Sequence, residues 1–134
     1  MSYRGVHHLG IAVTDLDEAV STYGRLFGAT LEHRDAVAEQ GVEAASVLVG
    51  DSRIELLAPT DGDTPVGRFL AKRGPGMHHV AYEVEDVSTE LRRLAEEGVE
   101  LVDERPRRGL FGLEVAFLHP DSVHGVLTEV VCPG

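Results

Sequence analysis

The sequence predicts an α+β fold in which two tandem βαβββ modules form one curved, barrel-like mixed sheet around a cleft. The stretch GVHHLGIAV at residues 5–13 returns as GMHHVAYEV at residues 76–84, at a constant offset of 71 positions. In both copies a strand pattern, a helix pattern, a glycine and three more strand patterns follow in the same order. Neither module has enough apolar surface to be stable alone, so we expect the two to share one core.

The first module spans about residues 5–59. Its helix begins near Asp15, where Thr14 and Asp17 resemble a capping arrangement, and stops at Gly28. Three strand patterns follow at about residues 30–37, 42–49 and 52–58, with a Gly50-Asp51 turn before the last. The helix places its apolar residues on one face: Leu16, Ala19, Val20, Tyr23 and Phe27.

The second module spans about residues 76–134 and follows a linker of about residues 60–75. In the linker, Thr64-Pro65 predicts the start of a short helix that ends at Gly74. The second module's helix begins near Asp86 and stops at Gly98. Strand patterns follow at about residues 99–104, 112–118 and 124–131, the last after a Pro120-Asp121 turn. We therefore interpret residues 1–134 as a single domain of two modules.

Composition narrows the possible partners and the compartment. The 12 Lys and Arg residues face 23 Asp and Glu residues, for a net charge of −11, which argues against a nucleic-acid partner. No apolar stretch approaches the roughly 20 residues of a membrane span, so we expect no membrane partner. Cys132 is the single cysteine and no export signal is visible at the N-terminus, which predicts a reducing cytoplasm.

Two local basic clusters remain available for an anionic small molecule. One is ERPRRG, with Arg105, Arg107 and Arg108, and the other is GRFLAKRG, with Arg68, Lys72 and Arg73. An equally good interpretation is that these cations balance nearby acids on a solvated surface. The sequence leaves both interpretations open.

Strand parity divides each histidine pair between two faces. Successive side chains of a strand point to opposite sides, so His7 shares the face of Leu9, Ile11 and Val13, which should pack against the helices. His8 shares its face with Gly10 and Ala12, the pattern of a pocket wall. The second copy sorts in the same way, with His78 on the packed face and His79 on the other. A single histidine is usually a hydrogen-bonded structural residue, but the repeat favours a functional role for His8 and His79.

Each module ends with a strand pattern that contains one glutamate. The apolar residues next to this glutamate point to the other face of the strand. Glu55 lies in RIELLAP and Glu129 in VLTEVV, 47 and 50 positions after His8 and His79. A buried glutamate needs a compensating partner. Two imidazoles and two carboxylates suit a divalent transition metal and balance its charge. The pattern therefore predicts one metal ion per chain, held by His8, Glu55, His79 and Glu129.

These residues together resemble the vicinal oxygen chelate superfamily, whose members bind a metal with His and Glu or Gln ligands on the first and fourth strands of paired βαβββ modules. Within it, the chain resembles the methylmalonyl-CoA epimerase family over nearly its whole length. The stretches that carry this resemblance are HLGIAVTDLDEAV, EHRDAVAEQGV, RIELLAP, DTPVGRFLAKRGPGMHHVAYEV and FLHPDSVHGVLTEV.

The resemblance implies a metal-dependent epimerase acting on an acyl-CoA thioester, with Co²⁺ as the expected metal and Ni²⁺, Mn²⁺, Fe²⁺ or Zn²⁺ as alternatives. It makes His8, His79 and Glu129 metal ligands, with Glu55 at a position where some members have glutamine. It also implies Glu129 and Glu43 as the two acid/base residues, with Glu43 facing the histidine side of its strand. The register after EQGV varies between members, and a shift of one residue would turn Glu43 away from the cleft. The resemblance further implies a homodimer. One departure is RRGLFG at residues 107–112, where Leu110 and Phe111 replace a smaller glycine-rich loop.

Two other functions remain open at this point. A glyoxalase I-type enzyme would use the same metal site on a glutathione adduct. A metal-free binding or resistance protein of the same fold would sequester a small molecule, although such proteins usually lack the ligand set that is intact here.

Overall fold

The computed structural model describes residues 3–133, apart from the side chain of Glu39. Its contacts divide the chain into two compact units. One is His8–His78, and the other combines the described residues of Met1–His7 with those of His79–Gly134. No helix in the described part of the chain is long and apolar enough to cross a membrane.

The unit His8–His78 holds a four-stranded sheet with two helices. Its strand order is β2-β3-β4-β1, in which β1 and β4 are parallel and the other neighbours are antiparallel. The predicted strands and helices of this part are confirmed to within a residue or two. The elements are β1 (Tyr3–Ala12), α1 (Leu16–Phe27), β2 (Thr30–Val37), β3 (Val42–Val49), β4 (Ser52–Pro59) and α2 (Pro65–Arg73).

Helix α1 is capped by Asp15, whose side chain accepts a hydrogen bond from the backbone N–H of Glu18 at 3.0 Å. The expected arrangement of Thr14 with Asp17 is therefore wrong by one residue. Gly28 ends the helix in the left-handed conformation, as predicted. The apolar face of α1 packs on one side of the sheet, which we call the helix face. The buried residues of this core are Leu16, Ala45, Val47, Leu56 and Ala58, with Ile11 and Val13 packed against them.

The short helix α2 begins and ends where the sequence predicted. The Thr64 side chain accepts a hydrogen bond from the Gly67 backbone N–H at 3.0 Å, and Pro65 occupies the first helical position. Gly74 follows the last helical residue.

The second unit repeats this plan with shorter strands. Its strand order is β5-β8-β7-β6, with β5 and β8 parallel. The first residues of β1 also belong to it, and the Tyr3 ring lies edge-on to Tyr82. Helix α3 packs its apolar face on Ala116, Leu118 and Val130. The elements are β5 (Gly76–Val84), α3 (Val87–Glu96), β6 (Arg107–Arg108), β7 (Glu114–Leu118) and β8 (Thr128–Cys132).

The predicted strand at residues 99–104 is wrong. A single bridge pairs Leu101 with Leu118, after which the backbone N–H groups of Val102 and Asp103 both donate to the Phe117 carbonyl. This doubled contact interrupts the regular pairing, and Pro106 has no N–H to resume it. Strand pairing begins again only at the two residues of β6.

The other two strands of this unit start later than predicted. The Leu110–Gly112 segment forms a 3₁₀ turn in which Phe111 has a φ of 60°, so β7 begins at Glu114. His124 and Gly125 have φ values of 54° and 90°, which take the backbone out of the extended conformation, and β8 begins at Thr128.

Candidate functional site

His8 and Glu55 form a buried pair in the first unit. The imidazole Nε2 lies 3.4 Å from a Glu55 carboxylate oxygen, and the two residues are 1% and 4% exposed. Parallel pairing sets Gly10 beside Glu55. His8 is two residues before Gly10 and shares its face, and the missing side chain at Gly10 leaves room for the imidazole to reach the carboxylate. We call this side of the sheet the His8 face.

His79 and Glu129 form the corresponding pair in the second unit. Their Nε2 and Oε1 atoms are 3.7 Å apart, and the residues are 4% and 6% exposed. Here the parallel pairing sets Ala81 beside Glu129, so another small residue occupies the place that Gly10 has in the first unit. Each unit therefore contains one buried imidazole beside one buried carboxylate, and we call this side of its sheet the His79 face.

His78 lies on the opposite side of its strand from His79. Its ring lies edge-on to Phe69 of α2, with 4.9 Å between ring centroids. Burial lowers the pKa of His78, which favours the neutral form among these packed groups. The environment of His78 is that of a structural residue, as parity predicted.

The donor groups of both pairs fit a divalent transition metal. Imidazole nitrogen and carboxylate oxygen are common ligands of such ions. Two ligands that are each about 2.1 Å from one ion lie about 3.0–3.4 Å apart in octahedral or tetrahedral geometry. The spacing of 3.4 Å in one pair matches this range, and the spacing of 3.7 Å in the other exceeds it slightly.

Glu43 does not share the His8 face. The β3–β4 register pairs Ser46 with Glu55 and Glu43 with Ala58, which belongs to the helix-face core. A residue three positions from Ser46 points to the opposite side because the side-chain period of a strand is two. The expected orientation of Glu43 toward the histidine is therefore wrong.

An ion pair holds the Glu43 carboxylate beside α1. Arg34 contacts Glu43 at 3.4 Å and Asp17, in the first turn of α1, at 2.6 Å. The Glu43 side chain is 40% exposed. Ala44, fully buried, follows Glu43 on the strand and points to the His8 face.

A polar network beside Glu55 was not predicted. Ser46, directly opposite Glu55, donates a 2.7 Å hydrogen bond to Glu32, and Arg53 binds both oxygens of the Glu32 carboxylate at 2.8 and 3.0 Å. These bonds, the one from Arg53 above all, lower the pKa of Glu32 to about 2. The strand spacing of Arg53 and Glu55 indicated a shared face, but Glu32 lies at an irregularity of β2 that the sequence pattern does not reveal.

Phe117 occupies the place in the second unit that Ser46 has in the first. It pairs directly with Glu129, and its ring lies edge-on to His79 with 5.5 Å between centroids. The carboxylate of Glu129 therefore has an aromatic neighbour, whereas that of Glu55 has a hydroxyl.

The two basic clusters differ in their surroundings. In GRFLAKRG, Arg68 pairs with Asp63 at 3.1 Å on the surface, and Arg73 lies over the Phe69 ring. This agrees with the solvated interpretation of that cluster. In ERPRRG, Arg107 lies over the Phe117 ring. Leu110 of the RRGLFG departure is buried, and Phe111 is half-buried.

Known proteins resemble this chain over most of its length. The family model described as the glyoxalase/bleomycin resistance protein/dioxygenase superfamily matches residues 7–117. The chain is 36% identical to the mitochondrial methylmalonyl-CoA epimerase of Dictyostelium discoideum over 126 residues, 93% of this chain and 76% of that protein. The chain belongs to the methylmalonyl-CoA epimerase family. The predicted resemblance is thereby confirmed.

Further relatives and solved structures agree. The ethylmalonyl-CoA/methylmalonyl-CoA epimerase of Cereibacter sphaeroides is 35% identical over 127 residues, 93% of this chain and 95% of that protein. A methylmalonyl-CoA epimerase solved in complex with methylmalonyl-CoA and NH₄⁺ matches with a TM-score of 0.94 at 39% identity, covering 98% of this chain and 95% of that one. The epimerase from Mycobacterium tuberculosis gives the same TM-score at 40% identity, covering 98% and 89%. The predicted α+β fold class is confirmed by these likenesses.

Proposed function

We propose that this protein interconverts (2R)- and (2S)-methylmalonyl-CoA. The observation that carries the proposal is the buried His–Glu pair that recurs, in a chain of the methylmalonyl-CoA epimerase family, once in each unit. Epimerisation removes a proton from the carbon between the thioester and the carboxylate and returns one to the opposite face. The negative charge that develops on the thioester oxygen must be stabilised, which favours a cationic site.

The proposed ligands of one divalent metal ion are His8, Glu55, His79 and Glu129. All four side chains are buried, and each carries an imidazole nitrogen or a carboxylate oxygen, which are ligand types for such ions. Co²⁺ is the proposed metal, with Ni²⁺, Mn²⁺, Fe²⁺ and Zn²⁺ as alternatives that accept the same donors. When bound, such an ion supplies positive charge at the thioester oxygen.

Glu129 is the proposed acid/base residue. Its carboxylate is buried beside His79 and Phe117, and it would take the α-proton on one face of the substrate. The reaction needs a second proton-transfer group for the other face. The helix-face orientation of Glu43 and its ion pair with Arg34 argue against Glu43 in that role.

Exchange of the substrate α-proton in D₂O tests the proposed function. We expect the metal-loaded protein to exchange this proton and to form both epimers, and chelation to abolish both activities. The parallel assay with methylglyoxal and glutathione should give no lactoylglutathione, whereas a glyoxalase I-type enzyme would give it. Exchange that survives complete metal removal would contradict the proposed metal dependence. Absence of exchange by metal-loaded protein would contradict the epimerase function.

A cytoplasmic homodimer is the proposed form of the enzyme. The homodimer rests on the family resemblance. The cytoplasmic compartment rests on the single cysteine, Cys132, whose thiol donates to the Glu85 carbonyl at 3.4 Å. Light scattering coupled to size-exclusion chromatography tests the homodimer, for which the expected mass is twice the 14.5 kDa of one chain.

A further inference from the structure

Arg107 lies on the His79 face of the second unit. The β6–β7 register pairs Arg107 with Val115, and the β7–β8 register pairs Phe117 with Glu129. Val115 and Phe117 are two residues apart and share a face. Arg107 is therefore on the same side of the sheet as the His79–Glu129 pair, two strands away from Glu129.

The Asp103 carboxylate and the Phe117 ring hold the Arg107 guanidinium in place. One oxygen of the Asp103 carboxylate accepts the Phe117 backbone N–H at 2.9 Å, and the other accepts Nε of Arg107 at 3.2 Å. The guanidinium carbon lies 5.6 Å from the centroid of the Phe117 ring, within the range of a cation–π contact. Asp103 is mostly buried, with a side chain 18% exposed, so the carboxylate that binds Arg107 is itself held within the fold.

The two terminal nitrogens of Arg107 remain available for a ligand. Among residues 3–133, the hydrogen bond from this guanidinium is made by Nε alone. Five other guanidinium groups of the described residues use a terminal nitrogen on a carboxylate: Arg4 on Glu85, Arg34 on Asp17 and Glu43, Arg53 on Glu32, Arg68 on Asp63, and Arg93 on Glu90. The Arg107 side chain is 40% exposed, so a small molecule can reach these two terminal nitrogens, which we call the fork.

The chemistry of that fork matches one class of ligand. Two parallel N–H donors bind a carboxylate or phosphate with two hydrogen bonds. A chain with a net charge of −11 repels a polyanionic acyl-CoA thioester, so binding needs positive groups at defined places. Arg107 supplies such a group near the His79–Glu129 pair, linked to it through the Phe117 ring.

We propose that Arg107 binds an anionic oxygen group of the acyl-CoA substrate and that Asp103 is its positioning residue. This inference rests on the proposed function. The anionic group is either the carboxylate of the acyl moiety or a phosphate of CoA, and both present the same paired oxygens to the fork.

Steady-state kinetics of Arg107→Gln tests the role of this side chain. We expect the KM for methylmalonyl-CoA to rise roughly tenfold or more with a smaller change in kcat, because charge-assisted hydrogen bonds to the bound substrate are lost. Arg107→Lys should recover part of the loss. The matched control is Arg92→Gln, which removes the same charge from an exposed arginine of α3 and should change KM less than twofold.

A truncated substrate distinguishes the two sources of the anion. Methylmalonyl-pantetheine keeps the acyl carboxylate and lacks every CoA phosphate. If Arg107 binds the carboxylate, Arg107→Gln raises the KM for both thioesters by the same factor. If it binds a phosphate, the rise appears only with the CoA thioester. An unchanged KM for both thioesters would overturn the proposal.

Binding measured without turnover separates this inference from the proposed function. Calorimetric titration with malonyl-CoA should give a Kd roughly tenfold or more higher for Arg107→Gln than for the unaltered protein. Asp103→Asn should give an intermediate value because the fork is present but less fixed. If the unaltered protein binds malonyl-CoA but shows no epimerase activity, the function fails while the titration still decides the role of Arg107. Equal affinities of the unaltered protein and Arg107→Gln would refute that role.

Discussion

The imidazole of His8 lies 3.4 Å from the carboxylate of Glu55, although 47 positions separate them in the chain. His79 and Glu129 repeat this contact at 3.7 Å over a separation of 50 positions. In both units the two partners stand on neighbouring parallel strands, with a residue no larger than alanine beside the glutamate. The repeated pair is therefore a product of strand parity and parallel register.

Replacing His79 by glutamine should sharply lower the metal content of the purified protein. The change removes one proposed ligand nitrogen and keeps a polar side chain of similar volume. His78→Gln is the matched control, since it alters the neighbouring residue that packs on Phe69. Elemental analysis of protein without a purification tag measures the effect. Equal metal contents in the two variants would argue against ligation by His79.

Replacing Glu129 by glutamine should slow exchange of the substrate α-proton by at least about a hundredfold, the usual scale for loss of a general base. Glu43→Gln should slow it only a fewfold, because the Glu43 carboxylate lies on the helix face beside Arg34. Proton NMR of methylmalonyl-CoA in D₂O measures both rates with the metal in excess. A Glu43→Gln defect as large as that of Glu129→Gln would mean that the Glu43 carboxylate reaches the substrate during the reaction.

Replacing Glu32 by glutamine should remove part of the acid sensitivity of folding. Arg53 lowers the pKa of Glu32 from 4.5 to about 2, so the ionised carboxylate stabilises the folded state. This contribution is fully present above about pH 4.5 and is lost as the pH falls toward 2. We expect Glu32→Gln to lower the free energy of unfolding at pH 7 by about 2 kcal/mol and to flatten its decline at acidic pH.

Urea unfolding between pH 2 and 7 measures that change. Glu104→Gln, which alters an exposed glutamate of the second unit, serves as the control and should leave the acidic decline as it is. A decline of unchanged steepness in Glu32→Gln would mean that another group controls the acid response.

Replacing Gly41 by alanine should destabilise the protein by about 3 kcal/mol. Gly41 has a φ of 65°, and a Cβ at this buried position would overlap the side chain of Thr64, which caps α2. Gly50→Ala isolates the backbone part of the effect. Gly50 has a φ of 59°, but a Cβ there meets nothing within 4 Å, so the cost should be about 1 kcal/mol. Thermal and urea unfolding compare the variants, and equal losses would contradict the predicted overlap.

The sequence was sufficient to predict the face of each histidine and each glutamate of the two His–Glu pairs, because parity within one strand needs no knowledge of its neighbours. The face of His8 follows from Leu9, Ile11 and Val13, which take the opposite side, and that of Glu55 from Ile54 and Leu56. Glu43 required the register between strands, which a turn decides. The Gly50-Asp51 turn pairs Val49 with Ser52, and counting back from it pairs Glu43 with Ala58. The sequence therefore contained the information on which face Glu43 takes, but only in the position of this turn.

The contacts of Arg107 could not be predicted from local sequence patterns. Apolar spacing suggested a strand at residues 99–104, whereas the side chain of Asp103 instead binds the backbone of Phe117, 14 residues later. A side chain that competes for a backbone N–H leaves no periodic trace in the sequence. Only the folded chain shows that this acid fixes both Phe117 and Arg107.

Ser46 and Phe117 occupy equivalent places, one opposite each glutamate. If the two units had identical sequences, any substitution would appear beside both glutamates at once. Because each unit has its own sequence, a hydroxyl flanks one carboxylate while an aromatic ring flanks the other. The repeated plan therefore fixes the His–Glu pair in each unit, while separate substitution gives each pair its own chemical surroundings.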